Sequence, residues 1–191
     1  MLSMSANASL ESTLARTIDE LNAASIPYML IGGLALSAWG LPRATLDIDL
    51  TLWVPSDGLD QVCDSLCSRY RPRVADPRAF VGKTRVLPVT TNAGVRIDFL
   101  FAAFPFEKEM VERAPLRQLG DVAVRVATLE DLILLKLPSS RVRDRDDVRL
   151  ILNAHRKGLE WDYLQSVADS LAEALGQPEL GAFLHEHRPP Q

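Results

Sequence analysis

Between Leu46 and Leu50 the chain reads Leu-Asp-Ile-Asp-Leu, and no other stretch restricts the possible fold so tightly. Alternation of this kind marks a half-buried strand, on which side chains two apart share a face. Asp47 and Asp49 then lie side by side, while Leu46, Ile48 and Leu50 are expected to face a core. Two carboxylates held this close repel each other, and one retains its proton unless a cation intervenes. A hard cation that prefers oxygen, such as magnesium, resolves the conflict.

A third acid fits the same pattern. In the run from Val95 to Phe101, Asp98 is the lone carboxylate among apolar residues and shares a face with Arg96. An acid there is costly to bury without a partner. Pairing of this strand beside the Asp47–Asp49 strand would make the three carboxylates converge. Such a trio can hold two cations roughly 3.5–4 Å apart that clamp the attacking and leaving oxygens of an in-line phosphoryl displacement. Upstream, residues 28–31 form a short apolar strand ending at Gly32-Gly33, followed by a helix over residues 34–39 that Gly40 and Pro42 stop. Glycine lets the backbone approach a ligand closely, and free amides at a helix start attract phosphate.

The remaining elements follow from periodicity and capping. A helix is predicted over residues 9–24, with Ser9 as N-cap and Glu11 in the first turn, and a strand over 45–54. Ser56 caps a helix to residue 69, and residues 71–102 read as strand-rich, most clearly at 85–89 and 95–101. A short helix at 106–113 and a strand at 122–127 follow. Thr128 opens a helix running to Lys136, and further helices cover 143–155, 161–175 and 179–187. Strands with helices first, then helices alone, predict an α/β core over 1–127 with a helical C-terminal region, 128–191, packed on it.

Taken together, Gly-Gly, a short helix, Arg43-x-Thr45, the Asp47–Asp49 strand and the distant Asp98 strand resemble the signature of the DNA polymerase β-like nucleotidyltransferases. The resemblance is best over residues 28–100 and implies that superfamily's mixed sheet flanked by helices. It implies transfer of a nucleoside monophosphate from an NTP to a hydroxyl, with pyrophosphate released and two magnesium ions bound. On this likeness Asp47 and Asp49 would hold both ions and the triphosphate. Asp98 would complete the metal site under the acceptor hydroxyl and favour its deprotonation. Gly32 and Gly33 would hold the β and γ phosphates. Many members carry Gly-Ser where this chain has Gly32-Gly33, which leaves backbone contacts, Ser37 or Thr45 to replace the missing hydroxyl. Arg43 is left either to meet phosphate or to pair with an acid.

Downstream, TLEDLILLKLPSSRVRDRDDVRLIL is similar to the second motif block of AbiEii-type toxins and related bacterial nucleotidyltransferases. Those carry a helical lysine followed by Arg-Asp-x-x-Asp, matched here by Lys136, Arg143, Asp144 and Asp147. The likeness implies that Lys136 reaches the triphosphate, where a compact cation offsets charge developing on the leaving group. It leaves Asp144 and Asp147 either to orient Lys136 or, with Arg143, to contact the acceptor. It also implies an RNA acceptor such as a tRNA 3′ end, and a cognate antitoxin as partner. Aminoglycoside and lincosamide nucleotidyltransferases share a similar opening, so an antibiotic acceptor is the second reading. A non-catalytic, antitoxin-like nucleotide binder is the third, and the presence of all three acids and Lys136 weighs against it.

Composition narrows the setting. The 191 residues carry a net charge of −4, so the molecule as a whole is not a polyanion-binding particle. Its arginines nevertheless cluster at Arg69, Arg71 and Arg73 and again at Arg141, Arg143 and Arg145, and guanidinium forks suit phosphate. No apolar stretch is long enough to span a bilayer, and the first residues lack a basic region followed by an apolar core. A cytoplasmic location without membrane partners is the expectation. Cys63 and Cys67 lie one helical turn apart without further ligands at zinc spacing, and are read as half-buried thiols.

Overall fold

The computed structural model describes residues 4–41 and 43–190, so Pro42 as a helix stop lies outside the described residues. The chain divides between Ala127 and Thr128 into two compact units. The first runs α1 (Met4–Ala23), β1 (Tyr28–Ile31), α2 (Gly32–Ala38), β2 (Asp47–Leu52), α3 (Leu59–Arg69) and β3 (Arg71–Pro72). It continues through α4 (Pro77–Thr84), β4 (Val86–Thr90), β5 (Arg96–Phe101), α5 (Pro105–Arg113), β6 (Leu116–Leu119) and β7 (Val122–Arg125). Five strands form a mixed sheet in the order β1-β2-β5-β4-β3, and β6 and β7 pair as a separate hairpin. Within the main sheet β2 and β5 are parallel, and the other pairings are antiparallel. A parallel pair cannot be joined by a tight turn. The chain between β2 and β5 is therefore long, and it is used to build α3, β3, α4 and β4.

Alternation decides which face of the sheet is covered. Ile48, Leu50 and Leu52 of β2, Leu87 and Val89 of β4 and Ile97 and Phe99 of β5 are all buried. Phe99 lies against Tyr70 with ring centroids 5.6 Å apart. On α1, Leu10, Leu14, Ile18 and Leu21 are buried, as their helical spacing requires. The opposite face of the sheet carries Asp47, Asp49, Arg96 and Asp98, none of them buried.

Several sequence expectations need correction. Ser9 is not an N-cap, because α1 already begins at Met4 and Glu11 is beyond its first turn; methionine and alanine upstream are good helix formers. Leu46 does not face the core: β2 starts only at Asp47, and Leu46 is 54% exposed. Ser56 opens a 3₁₀ turn, Ser56–Gly58, rather than capping α3 directly. The strand-rich reading of residues 71–102 misses α4, whose start is marked by Pro77 and by Asp76 accepting from the Ala79 amide at 3.0 Å. That Asp-Pro pair is a usable helix-start signal.

The second unit is helical: α6 (Leu129–Lys136), α7 (Val142–His155), α8 (Trp161–Leu175) and α9 (Glu179–His187). The Thr128 hydroxyl caps α6 by accepting from the Asp131 amide at 3.1 Å. Helix α6 packs on α7 and α8, and α8 on α9, around Ile133, Ile151, Leu164, Ala168 and Leu184. No helix among the described residues is long and apolar enough to cross a membrane.

The centre of the first unit sets a test. Phe99→Ala is expected to lower the unfolding free energy in urea by about 3–5 kcal/mol, through lost burial and the cavity left beside Tyr70. A loss below about 1 kcal/mol would show that this ring is not central to the core.

Candidate active site

The parallel register of β2 and β5 builds the acidic site. Asp47 lies opposite Arg96, and Asp49 lies opposite Asp98. Directly paired residues share a face, so all three carboxylates emerge on the uncovered side of two adjacent strands. On the other flank of β2, Ile31 at the end of β1 is opposite Asp49, which delivers the Gly32 turn to the same place.

Gly32 has φ +70°, a conformation that glycine adopts without strain. A Cβ at Gly32 would overlap Asp49 Oδ2 and lie 2.8 Å from Asp49 Cγ, so the carboxylate rests against bare backbone. Gly33 is equally constrained: a Cβ there would lie 2.8 Å from Thr45 Cβ and 3.2 Å from Arg43 Nη2. The absence of the serine found in many superfamily members thus has a local cause. Thr45 and the Arg43 guanidinium fill the space into which a serine side chain would project. Ser37 Oγ points back to the Gly33 carbonyl at 3.2 Å. Ser37, Arg43 and Thr45 line one cavity of about 190 Å³ with Glu11.

Two of the acids already hold arginines. Arg96 Nε donates to Asp47 Oδ1 at 2.6 Å, and Arg73 Nη1 donates to Asp98 Oδ1 at 3.2 Å. Burial pushes the Asp98 carboxyl above the ordinary aspartate value, with Arg73 and Arg96 opposing that rise and the charge on Asp47 adding to it. Among the described residues the acids do not close into a set of three around one point. Their chemistry nonetheless fits a hard divalent cation: carboxylate oxygens on one face, crowded enough that arginines serve as counter-charges. Arg96 is legible as Asp98's neighbour two residues along the strand. Arg73 is not, because only the fold brings β3 to the sheet edge beside β4, one strand from β5.

Lys136, Asp144 and Asp147 gather separately, within the helical unit. Lys136 Nζ donates to Asp144 Oδ1 at 3.0 Å and to Asp147 Oδ2 at 2.7 Å. All three side chains are nearly buried, at 11%, 9% and 3% exposure. Asp144 also accepts from Ser139 Oγ at 2.7 Å and Arg141 Nε at 2.6 Å. Its carboxyl titrates below the ordinary aspartate value: burial raises it, and the Ser139 and Lys136 hydrogen bonds with the charges of Lys136 and Arg141 outweigh that effect. Arg143 is exposed on α7. Lys136 also borders a cavity of about 480 Å³ that belongs wholly to the helical unit.

The tryptophans are tied into the structure. Trp39 Nε1 donates to the Ala127 carbonyl at 2.9 Å and Trp161 Nε1 to the Arg156 carbonyl at 2.8 Å. Trp53 lies 5.9 Å from the Lys108 ammonium. Burial pushes both thiols up, Cys63 to about 12.

A sheet of this order with an acidic pair on one strand and a third acid beside it defines the nucleotidyltransferase fold, and comparison with solved structures agrees. The antibiotic-resistance factor ANT(2'')-Ia in solution is similar at TM-score 0.54 and 15% identity, over 92% of this chain and 97% of that one. Its crystal structure with adenylyl-2"-tobramycin gives TM-score 0.55 and 14% identity over 86% and 97%. TM1012 from Thermotoga maritima gives TM-score 0.50 and 14% identity over 76% and 93%. At these identities the likeness establishes the fold alone. A search of curated protein sequences finds no match. The family model described as "Nucleotidyl transferase AbiEii toxin, Type IV TA system" matches residues 17–183, and the chain belongs to that family.

Two measurements test the buried lysine cluster. Lys136→Met removes the buried ammonium that two carboxylates share and is expected to lower stability by about 3–5 kcal/mol in urea unfolding; an unchanged midpoint would refute the pairing. A depressed native pKa at Asp144 contributes stability above the ordinary value of 3.8, lost as pH falls through and below it. Asp144→Asn should therefore flatten the fall of melting temperature between about pH 6 and about pH 3, and an unaltered slope would remove this contribution.

Proposed function

We propose that this protein is a magnesium-dependent enzyme that transfers a nucleoside monophosphate from an NTP to a hydroxyl of RNA, with a tRNA 3′ end as the acceptor. The observation that carries this reading is the β2–β5 register, which sets Asp49 beside Asp98 with Asp47 on the same face. Membership of a toxin family named for a type IV toxin–antitoxin system supports a cognate antitoxin as partner.

In this reading Asp47, Asp49 and Asp98 would hold two magnesium ions, which would supply positive charge beside the phosphates and the acceptor hydroxyl. Asp98 would complete the metal site under the acceptor hydroxyl and favour its deprotonation. Gly32 and Gly33 offer bare backbone to the β and γ phosphates, with Arg43 and Thr45 beside Gly33 in place of a serine hydroxyl. Ser37 supports the turn through the Gly33 carbonyl. Lys136 is the phosphate-directed cation of the second motif. Asp144 and Asp147 position it, because both hold its ammonium at hydrogen-bond distance. Arg143, exposed on α7, is left to contact the acceptor.

An antibiotic acceptor is the alternative reading: Arg73 and Arg96 offset only part of the charge of the three acids on the site face.

The test is incubation with magnesium, each labelled NTP and total RNA, in parallel with an aminoglycoside. Label is expected on RNA. Asp49→Asn should reduce transfer by at least about 100-fold, the loss that outer partners of a metal ligand already reach. Its melting temperature should hold or rise, since the change removes repulsion rather than packing. Full activity in Asp49→Asn, or label on the drug alone, would overturn the assignment.

A further inference from the structure

The uncovered face of the sheet does not end at the carboxylates. Register pairing carries it outward in a row: Asp47 opposite Arg96, Arg96 opposite Thr90, and Thr90 opposite Arg71 on the edge strand β3. A second row runs beside it, from Asp49 to Asp98 to Pro88, where the Arg73 amide donates to the Pro88 carbonyl at 2.9 Å. Three strand spacings separate Asp47 from Arg71, about 14 Å. Along the outer half lies an open groove of about 730 Å³ lined by Arg71, Arg73, Thr90, Thr91, Asn92 and Gly94 among others, with no acid in its lining.

The two arginines differ in a useful way. Arg73 is engaged by Asp98. The Arg71 guanidinium is exposed and makes no hydrogen bond or ion pair among the described residues. A charged edge strand also discourages sheet-to-sheet pairing. Edge protection, however, needs only charge at the strand rim. Here the charge is aligned by register with the acids and opens onto a groove of hydroxyl, amide and backbone groups.

We propose that this groove, with Arg71 and Arg73 as its cations, holds the phosphodiester backbone of a single-stranded nucleic-acid acceptor and leads its terminal hydroxyl to Asp98. The proposal rests on the transfer reading above. The distance suits about two to four nucleotides of a strand, stacked or extended. Guanidinium forks take phosphate oxygens in pairs, and Thr90 and Asn92 add neutral donors. Phosphate could also arrive as the triphosphate of the NTP, so the test separates the two sources.

The probe is a dye-labelled 12-nucleotide single-stranded RNA, its binding to the full chain read by fluorescence anisotropy in EDTA without nucleotide. Arg71→Glu is expected to weaken binding by more than about 10-fold, and Arg71→Ala by about 3–10-fold, with the slope of log K against log salt reduced by about 0.7. Arg71→Lys should restore most of the affinity, and an unchanged melting temperature excludes misfolding. RNA binding by Arg71→Glu equal to that of the parent overturns the proposal. So does a defect confined to labelled ATP in magnesium, which would assign the groove to the triphosphate. Asp49→Asn separates the two claims. If it abolishes transfer while Arg71→Glu binds RNA normally, the groove fails and the transfer reading stands. If Arg71→Glu loses RNA while the parent transfers no label, the groove stands and the transfer reading fails.

Discussion

The repulsion among three carboxylates on two neighbouring strands is the constraint to which the rest of the first unit answers. Parallel pairing of β2 and β5 puts Asp49 directly across from Asp98, a juxtaposition that no sheet tolerates without compensation. Compensation comes from residues on the same face, Arg96 on Asp47 and Arg73 on Asp98. Both pairs are partly exposed, so each contributes modestly to stability. Their importance lies in offsetting much of the charge on this face while the opposite face closes over Ile48, Leu50, Ile97 and Phe99.

Much of this is legible in the sequence itself. Alternation placed Asp47, Asp49, Arg96 and Asp98 on one side of their strands, and the Gly32-Gly33 pair marked the turn. What could not be read was anything depending on strand order. Arg73 reaches Asp98 because β3 follows β4 at the edge, and nothing within the β3 sequence announces that. Leu46 failed for a related reason: apolar character suggests burial, but burial ends where the strand ends. The strand-rich reading of residues 71–102 passes over α4 because valines flank it and Phe80-Val81 lies within it, although Asp76-Pro77 carries the helix-start signal.

The glycine pair shows how a departure from a family pattern can be structural before it is functional. Gly32 is required by its dihedral and by the carboxylate lying on it, and Gly33 by Thr45 and Arg43. A serine at Gly33 would need those neighbours to move. In this chain a guanidinium stands beside the turn that lacks the hydroxyl. In the helical unit the same economy of charge appears in buried form, with one ammonium shared by two aspartates. Such a cluster tolerates no slip of α7 along α6, because sliding by one residue would leave an ion without a counterpart.

Strand order has a mechanical consequence. The acids lie on β2 and β5, which are flanked on both sides, whereas Arg71 belongs to a two-residue strand at the rim. Interior strands open only with the whole sheet, and short rims fray first. Amide exchange should then be slowest under the acids and fastest at the rim, a stiff anvil beside a yielding margin.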